Sequence, residues 1–597
     1  MNKTVLSGLS LLGPILMSSH LAADIRDSRV VDEPVMVVTA TRAEQSAASS
    51  LAAVSVIDRA QIERSQAPDL HELLRLEAGV DVARTGGPGG QTSVFMRGSN
   101  SNHVLVLVDG IRVAASGTGG FAFENLDLAI IERIEIVRGP RAARWGSDAI
   151  GGVIQIFTRR AEGASLRAGY GRYRDRSLAG SIGTGQAGLT AAARRVGGYS
   201  SQNERGFAFN PDDDGFELFS LAGGGRAEVG RGQLNWQTRL ASGETEFDQG
   251  ISDALNYAAG LDYRLPGAGD WLWLFNAAAY RDRLETSTAF GEDEAITRRI
   301  QAGTQAERVI ADGQRLIVGA DGWRESGVSR NQWSEQRDNI GLWAGLDGRN
   351  GAFDHDLSLR VDRDSNFGRA VTGGLAGGWR ASEDWHLMAS LGRAFRAPSF
   401  SQLYSPGFSG LFAGNPDLDP ETSLSGEIGL RWHGLAGQNL GVALFETRID
   451  DLIAFAGPDF QAINIRSSRI RGAEIWHEFS STHWRARSQA TWQNTEDRDT
   501  GLELLRRPSR KASTSLDRLL ANGSWFGGEL VYIGSRLDVG NQRLGAYTLV
   551  NLRAGYELPA GLRLEGRLEN LTDRDYEHLV GFNTHRRSLF VALNWER

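Results

Sequence analysis

The chain has 597 residues, too many for one ordinary core, and its 41% hydrophobic content and mean hydropathy of −0.30 exclude a bundle of membrane helices. A formal charge of −8 argues against a general nucleic-acid binder, and the absence of cysteine excludes disulfides, thiol chemistry and cysteine-ligated metal. With 74 glycines, 15 tryptophans and only 14 prolines, the composition suits a large β-protein, including barrels with aromatic girdles.

At the N-terminus Lys3 precedes the apolar run from Val5 to Met17, and small residues follow at Ala22 and Ala23. This is a secretory signal pattern over residues 1–23, too short for a spanning helix. A polar linker, residues 24–45, carries the β-prone string Glu33-Pro34-Val35-Met36-Val37-Val38-Thr39-Ala40. Exposed near a terminus, such a string suits strand addition to a partner's sheet edge, or it forms a first strand of the domain that follows.

That domain is expected over residues 46–160. Ser55 to Gln61 and Asp69 to Leu76 read as a strand and a short helix, with Asp69 near the cap and His71 as a solvated surface residue. Two Gly-rich loops, Thr85 to Gln91 and Ala114 to Gly120, lack both the G-K-[ST] of a phosphate loop and a G-x-G-x-x-G between strand and helix. Three β-branched runs, Val104–Val108, Ile130–Val137 and Val153–Phe157, predict strands joined by tight turns. Arg97-Gly98 and Arg138-Gly139 flank these apolar segments. A guanidinium buried without a carboxylate costs about 3–5 kcal/mol, and no acidic cluster lies nearby in sequence, so the partners are expected elsewhere in the chain.

From 161 to 597 the dominant signal is alternation with period two. Leu562, Leu564 and Leu568 alternate with Arg563, Glu565, Arg567 and Glu569; Trp484 to Trp492 and Val550 to Tyr556 repeat the pattern. Dense charge on one face predicts apolar residues toward lipid and polar residues toward a wet lumen. Asn210-Pro211-Asp212-Asp213-Asp214 and Asp248-Gln249 with Asp253 form two acidic groups in neighbouring hairpin loops. Several hard oxygens together suit calcium, though the spacing is no EF-hand. Lys3 and Lys511 are the only lysines. A coding bias toward Arg accounts for that, as would guanidinium forks binding lipopolysaccharide phosphates.

The segments VFMRGSNSNHVLVLVDGIRV (94–113) and RGPRAARWGSDAIGGVIQI (138–156) resemble the plug domain of TonB-dependent outer-membrane receptors, with cobalamin receptors the most similar group. Phe395-Arg396-Ala397-Pro398 and the box from Asn415 to Glu421 resemble paired motifs of the same family, and no His lies between them, which disfavours haem as cargo. The resemblance implies a 22-stranded antiparallel transmembrane β-barrel with an N-terminal α+β plug in its lumen. Residues 33–40 would be the Ton box, Glu427 and Glu474 would latch Arg97 and Arg138, and Gln91, Ser93, Asn100, Thr118 and Gly119 would lie beneath the ligand. It further implies calcium at Asn210, Asp212, Asp214, Asp248, Gln249 and Asp253, with Ser200 replacing one further acidic ligand. Among the residues beneath the ligand, only Ser93 and Asn100 keep the types found in the cobalamin receptors.

The function expected is therefore TonB-dependent transport of cobalamin or a related corrinoid across the outer membrane. TonB with its inner-membrane energising complex, outer-membrane lipid and lipopolysaccharide are the expected partners. A ferric-siderophore receptor and a passive surface receptor or pore are the alternatives. No nucleophile–base motif marks an enzyme.

Overall fold

The structure, a computed structural model, describes residues 36–289, 291–407, 412–456 and 460–597. The predicted signal segment and Glu33, Pro34 and Val35 lie outside the described residues.

Twenty-two antiparallel strands close into a barrel, from Gly163–Gly171 to Ser588–Glu596. The first and last strands pair directly, with Leu166 opposite Trp595 and Gly169 opposite Ala592. Closure leaves no edge, so the strands' backbone groups pair within the wall apart from local irregularities such as the bulge at Ile310, as a lipid environment demands. The predicted alternation holds: Leu552, Leu564 and Leu593 are about half exposed on the outer wall, whereas Arg553, Glu565 and Arg567 are buried in the lumen. At one end the connections are as short as Gly230-Arg231, Asp312-Gly313 and Gly351-Ala352; at the other, loops 197–215, 397–420 and 570–587 are long. Short turns mark the periplasmic end and long loops the extracellular one. Outward-facing Trp273 stacks on Phe275 near the short-turn end, where an aromatic girdle meets the membrane interface.

The lumen is filled by the N-terminal domain. A five-stranded sheet runs in the order Val54–Ile57, Ile131–Arg138, Gly152–Thr158, Val104–Val108, Ile111–Arg112, and a separate hairpin pairs Val80–Arg84 with Thr92–Met96. Only the contact between Val104–Val108 and Gly152–Thr158 is parallel among the pairings of the five-stranded sheet. Its core, including Leu74, Val94, Met96, Ile134 and Ile156, continues into Ala222, Ala258 and Tyr280 of the barrel wall. The plug is thus packed against the wall from within.

Two local expectations are corrected. Ser55 to Gln61 is not all strand: after Ile57, Asp58 accepts from the Gln61 amide at 2.6 Å and starts helix α1 (Arg59–Ser65). In helix α2 (Leu70–Leu74), capped as expected by Asp69, His71 is buried rather than solvated. Its ring meets that of His578, from the last extracellular loop, edge-on at 4.7 Å.

Candidate functional site

Four features of the plug and its surroundings bear on function. The first is a buried ion lattice. Arg97 donates from Nε and Nη2 to the two oxygens of Glu474 at 2.9 and 3.0 Å, and from Nη1 to Glu427 at 2.5 Å. Arg138 reaches the same Glu474 at 3.1 Å and completes its fork on Ser55. One fully buried carboxylate from the barrel therefore serves two guanidinia from the plug. The backbone is shaped for this approach: a Cβ on Gly79, at φ +67°, would lie 2.0 Å from Glu474 Oε1. The carbonyl of Gly79 also accepts from the Arg97 amide at 2.7 Å.

The second feature is the docked end of the N-terminal strip. Met36–Val37 pairs antiparallel with Gln45–Ser46, so it folds back on its own chain and adds to no plug sheet. The expected exposure fails here, because Val37, Thr39 and Ala40 are buried. Glu135 explains the burial. Its Oε2 accepts from the Val38 and Thr39 amides, each at 3.0 Å, and from the Thr39 hydroxyl at 2.6 Å. Trp145 Nε1 donates to the Thr39 carbonyl at 2.8 Å. Just beyond, the Arg42 guanidinium lies between Trp145 of the plug and Trp343 of the wall, 4.4 and 4.8 Å from the ring centres. It pairs with Asp321 of the barrel at 2.8 Å, a carboxylate also held by Arg360. Nothing near Arg42 in sequence announces this contact.

The third feature is the extracellular face of the plug. Gln91 is exposed at the foot of the first Gly-rich loop, where its carbonyl accepts from the Thr85 amide, and Thr118 is exposed in the second, beside Gly119 at φ +72°. Ser93 instead lies within the hairpin strand Thr92–Met96, and the Asn100 side-chain oxygen accepts from Arg507 at 2.5 Å. Barrel loops press on both tips. Tyr199 and Ser201 cover Gly86 and Gly87, while helix α3 (Phe400–Tyr404) donates backbone bonds to the Ser116 and Gly117 carbonyls at 3.1 and 3.0 Å. The two sequence boxes meet at this level. Arg396 and the plug residue His103 converge on Glu421 at 2.7 and 3.0 Å, a pairing that separate motifs did not disclose. A cleft of about 700 Å³ opens among the extracellular loops, lined by Phe209, Tyr547 and Tyr576 with Arg205, Arg574 and Glu577.

The fourth is the acidic loop pair. Asp248 accepts from the Gln202 and Asn210 amides, both at 2.8 Å, and from the Ser201 hydroxyl; Asp214 accepts from the Ser201 amide at 2.6 Å. Asp212 follows Asn210 in the same loop, and Gln249 completes the turn after Asp248. Asp253 does not join them. It shares the outward parity of Leu255 and Tyr257 and lies opposite Glu244 on the neighbouring strand. Among the described residues no group of three or more acidic, His or Cys side chains is arranged to hold a metal. The six predicted ligands are therefore not one preformed site.

A barrel stoppered from within, with an N-terminal strip docked at its periplasmic mouth, is the architecture of an energy-coupled outer-membrane receptor. Residues 46–153 match the TonB-dependent receptor plug domain and residues 155–571 the TonB-dependent receptor-like β-barrel, so the chain belongs to the TonB-dependent receptor family and to the outer membrane. It is 30% identical to a vitamin B12 transporter of Photobacterium profundum over the full length of both chains. It is equally identical to that of Vibrio vulnificus, covering 95% of this chain and 94% of the relative. Among solved structures, a mutant of the Pseudomonas aeruginosa ferric enterobactin receptor superposes with TM-score 0.78 at 17% identity, covering 94% of this chain and 100% of that one. The Acinetobacter baumannii siderophore receptor PirA gives 0.79 at 15%, covering 91% and 98%. These two likenesses establish the fold alone.

Two substitutions probe the docking. Replacing Glu474 with Gln strands two buried guanidinia, and a loss of about 3 kcal/mol translates to roughly hundredfold faster hydrogen exchange at the plug amides around Arg97 and Arg138. Unchanged protection would show that the lattice is not what fixes the plug. For the strip, Arg42→Ala removes an ion pair and two cation–π contacts, together about 1–2 kcal/mol. Because the chain has no native cysteine, a spin label at Val38→Cys reports directly, and its mobile fraction should rise about tenfold in the Arg42→Ala background.

Proposed function

We propose that this receptor imports cobalamin or a related corrinoid, with TonB and its inner-membrane complex as the source of work. The observation that carries this reading is full-length identity of 30% to two vitamin B12 transporters, against 15–17% for the siderophore receptors of like fold. Cargo binds among the extracellular loops above the plug, with Gln91 and Thr118 as the exposed part of its floor and Gly119 half-buried beside Thr118. Ser93 and Asn100 act from behind as supports, Asn100 through Arg507. The Ton box, residues 33–40, is the segment TonB takes up as an added strand. Its release requires the Glu135 carboxylate to give up three donors and Arg42 to leave Asp321, so strip and plug are coupled through Trp145, which touches both. The role is that of a receptor and carrier, with no bond made or broken in the cargo.

Titration of the purified barrel with cyanocobalamin and with several ferric siderophores tests the cargo. Saturable binding of cyanocobalamin alone is expected, and preferential binding of a siderophore would reassign it. Deleting Val35 to Ala40 should abolish uptake while leaving surface binding intact. Uptake that survives the deletion would make the protein a passive pore.

The acidic loops are proposed to take calcium through Asp212, Asp214 and Asp248, with Asn210 and Gln249 as neutral oxygen donors and Asp253 outside the set. Burial, reinforced by Asp248 and Asp212, pushes the Asp214 carboxyl up to about 6 from 3.8. A raised carboxyl favours the folded loop below about pH 4 and loses that stabilisation as pH rises through 6, so the ionised cluster wants a cation most at neutral pH. Calorimetry should therefore show calcium affinity falling between pH 7 and pH 5. Asp248→Asn should remove the calcium heat and Asp253→Asn should spare it; equal effects of the two would refute the assignment.

A further inference from the structure

On the outer wall, Arg281 with Arg298 and Arg363 with Arg369 stand directly opposite each other across neighbouring strands, without the glutamates (Glu217 and Glu446) that accompany the outward pairs Arg176 with Arg195 and Arg448 with Arg469. Their outward direction follows from parity. Ile300, Leu359 and Val371, in step with them, are 59%, 57% and 41% exposed, whereas the alternate positions Tyr280, Arg299, Asp362 and Thr372 are buried in the lumen. Toward the periplasmic end the outward positions below Arg281 are Ala279, Ala277, Phe275 and Trp273, and below Arg363 they are Val361, Leu359 and Leu357. Both pairs therefore stand where the lipid-facing apolar band gives way on its extracellular side, at the depth of the outer leaflet's headgroups.

Like charges placed directly opposite in a ladder are destabilising. Among the described residues none of the four guanidinia has an ion-pair partner. Near the first pair the outward acids Glu285 and Glu294 are engaged by Arg283 and Arg330, and near the second Asp338 is engaged by Arg324. Two adjacent forks with no carboxylate between them match a phosphate, which accepts bidentate bonds from each and removes their repulsion. At the first pair Tyr257 lies cross-strand from Arg281, 39% exposed, and brings an amphipathic ring to the same depth. At the second, Ile340, opposite Arg363 and 65% exposed, offers apolar surface to an acyl chain.

We propose that these two arginine pairs are docking sites for the phosphates of the outer leaflet's diphosphorylated glycolipid, the lipid part of lipopolysaccharide. A lipid rather than a free phosphate is the occupant, because the outward positions on the periplasmic side of each pair are apolar and face the bilayer. The inference rests on the outer-membrane placement of the barrel and not on which cargo it carries.

The test uses the full chain purified in detergent, with native mass spectrometry counting bound diphosphoryl lipid A. Wild-type protein should retain it, and the quadruple variant Arg281→Gln, Arg298→Gln, Arg363→Gln, Arg369→Gln should bind at least tenfold more weakly. The exposed periplasmic-turn variant Arg231→Gln should behave as wild type. Heat-modifiable gel migration confirms that each variant is folded, and Arg→Lys replacements at the four positions should recover binding in part. Equal retention by wild type and quadruple variant would overturn the proposal. So would equal binding of dephosphorylated lipid A, displacement by equimolar inorganic phosphate, or a loss of the same size in Arg231→Gln.

Discussion

A carboxylate sealed inside a barrel is tolerable only when something equally sealed neutralises it, and Glu474 meets that condition through two arginines that belong to another domain. The same constraint acts from the other side. Arg97 and Arg138 lie beside apolar strands of the plug and have no carboxylate of their own there. Neither half is at ease alone, so the wall and the stopper complete each other. Around this contact the rest is arranged: Gly79 has no side chain so that Glu474 can approach, and Ser55 closes the remaining fork of Arg138. The plug's apolar core runs on into Ala222, Ala258 and Tyr280 of the wall.

Polar contacts between plug and wall extend well beyond this lattice. Arg487 pairs with Glu77, Lys511 donates to the Glu77 carbonyl, and Arg431 donates to the Ser50 carbonyl. Such bonds form between groups that water can also satisfy, so they fix position without making separation prohibitive. An interface of this chemistry suits a stopper that must stay in place at rest and be rearranged by an applied pull. The strip at the periplasmic mouth follows the same design, with Glu135 holding it by donors that could equally bond to water or to a partner's strand edge.

How much of this could be read from the chain depends on how local each cause is. Lipid on one side and a polar lumen on the other give every strand unlike faces, so Leu562 to Glu569 and Val550 to Tyr556 declare themselves by alternation alone. Strand number is set by closure, a property of the whole ring, and only resemblance supplied it. Helix α1 does not declare itself because the β-branched run into Ile57 masks the cap at Asp58, although Gln61 three residues on is a capping signal. His71 reads as solvated because what buries it, His578, comes some five hundred residues later. Arg42 and Asp321 are likewise joined only by the fold. Asp253 lies close to Asp248 in sequence, yet its step with Leu255 and Tyr257 places it on the other face.

The order of attachments along the strip has a mechanical consequence. Traction from the periplasm reaches the two-residue ladder at Met36–Val37 first, next the Glu135 grip on Val38 and Thr39, and only afterwards the Arg42 clamp against the wall. The fastenings are loaded in series, like stitches in a seam. The tension needed is therefore set by the strongest single stitch and not by their sum, and each rupture lengthens the lead before the next is strained.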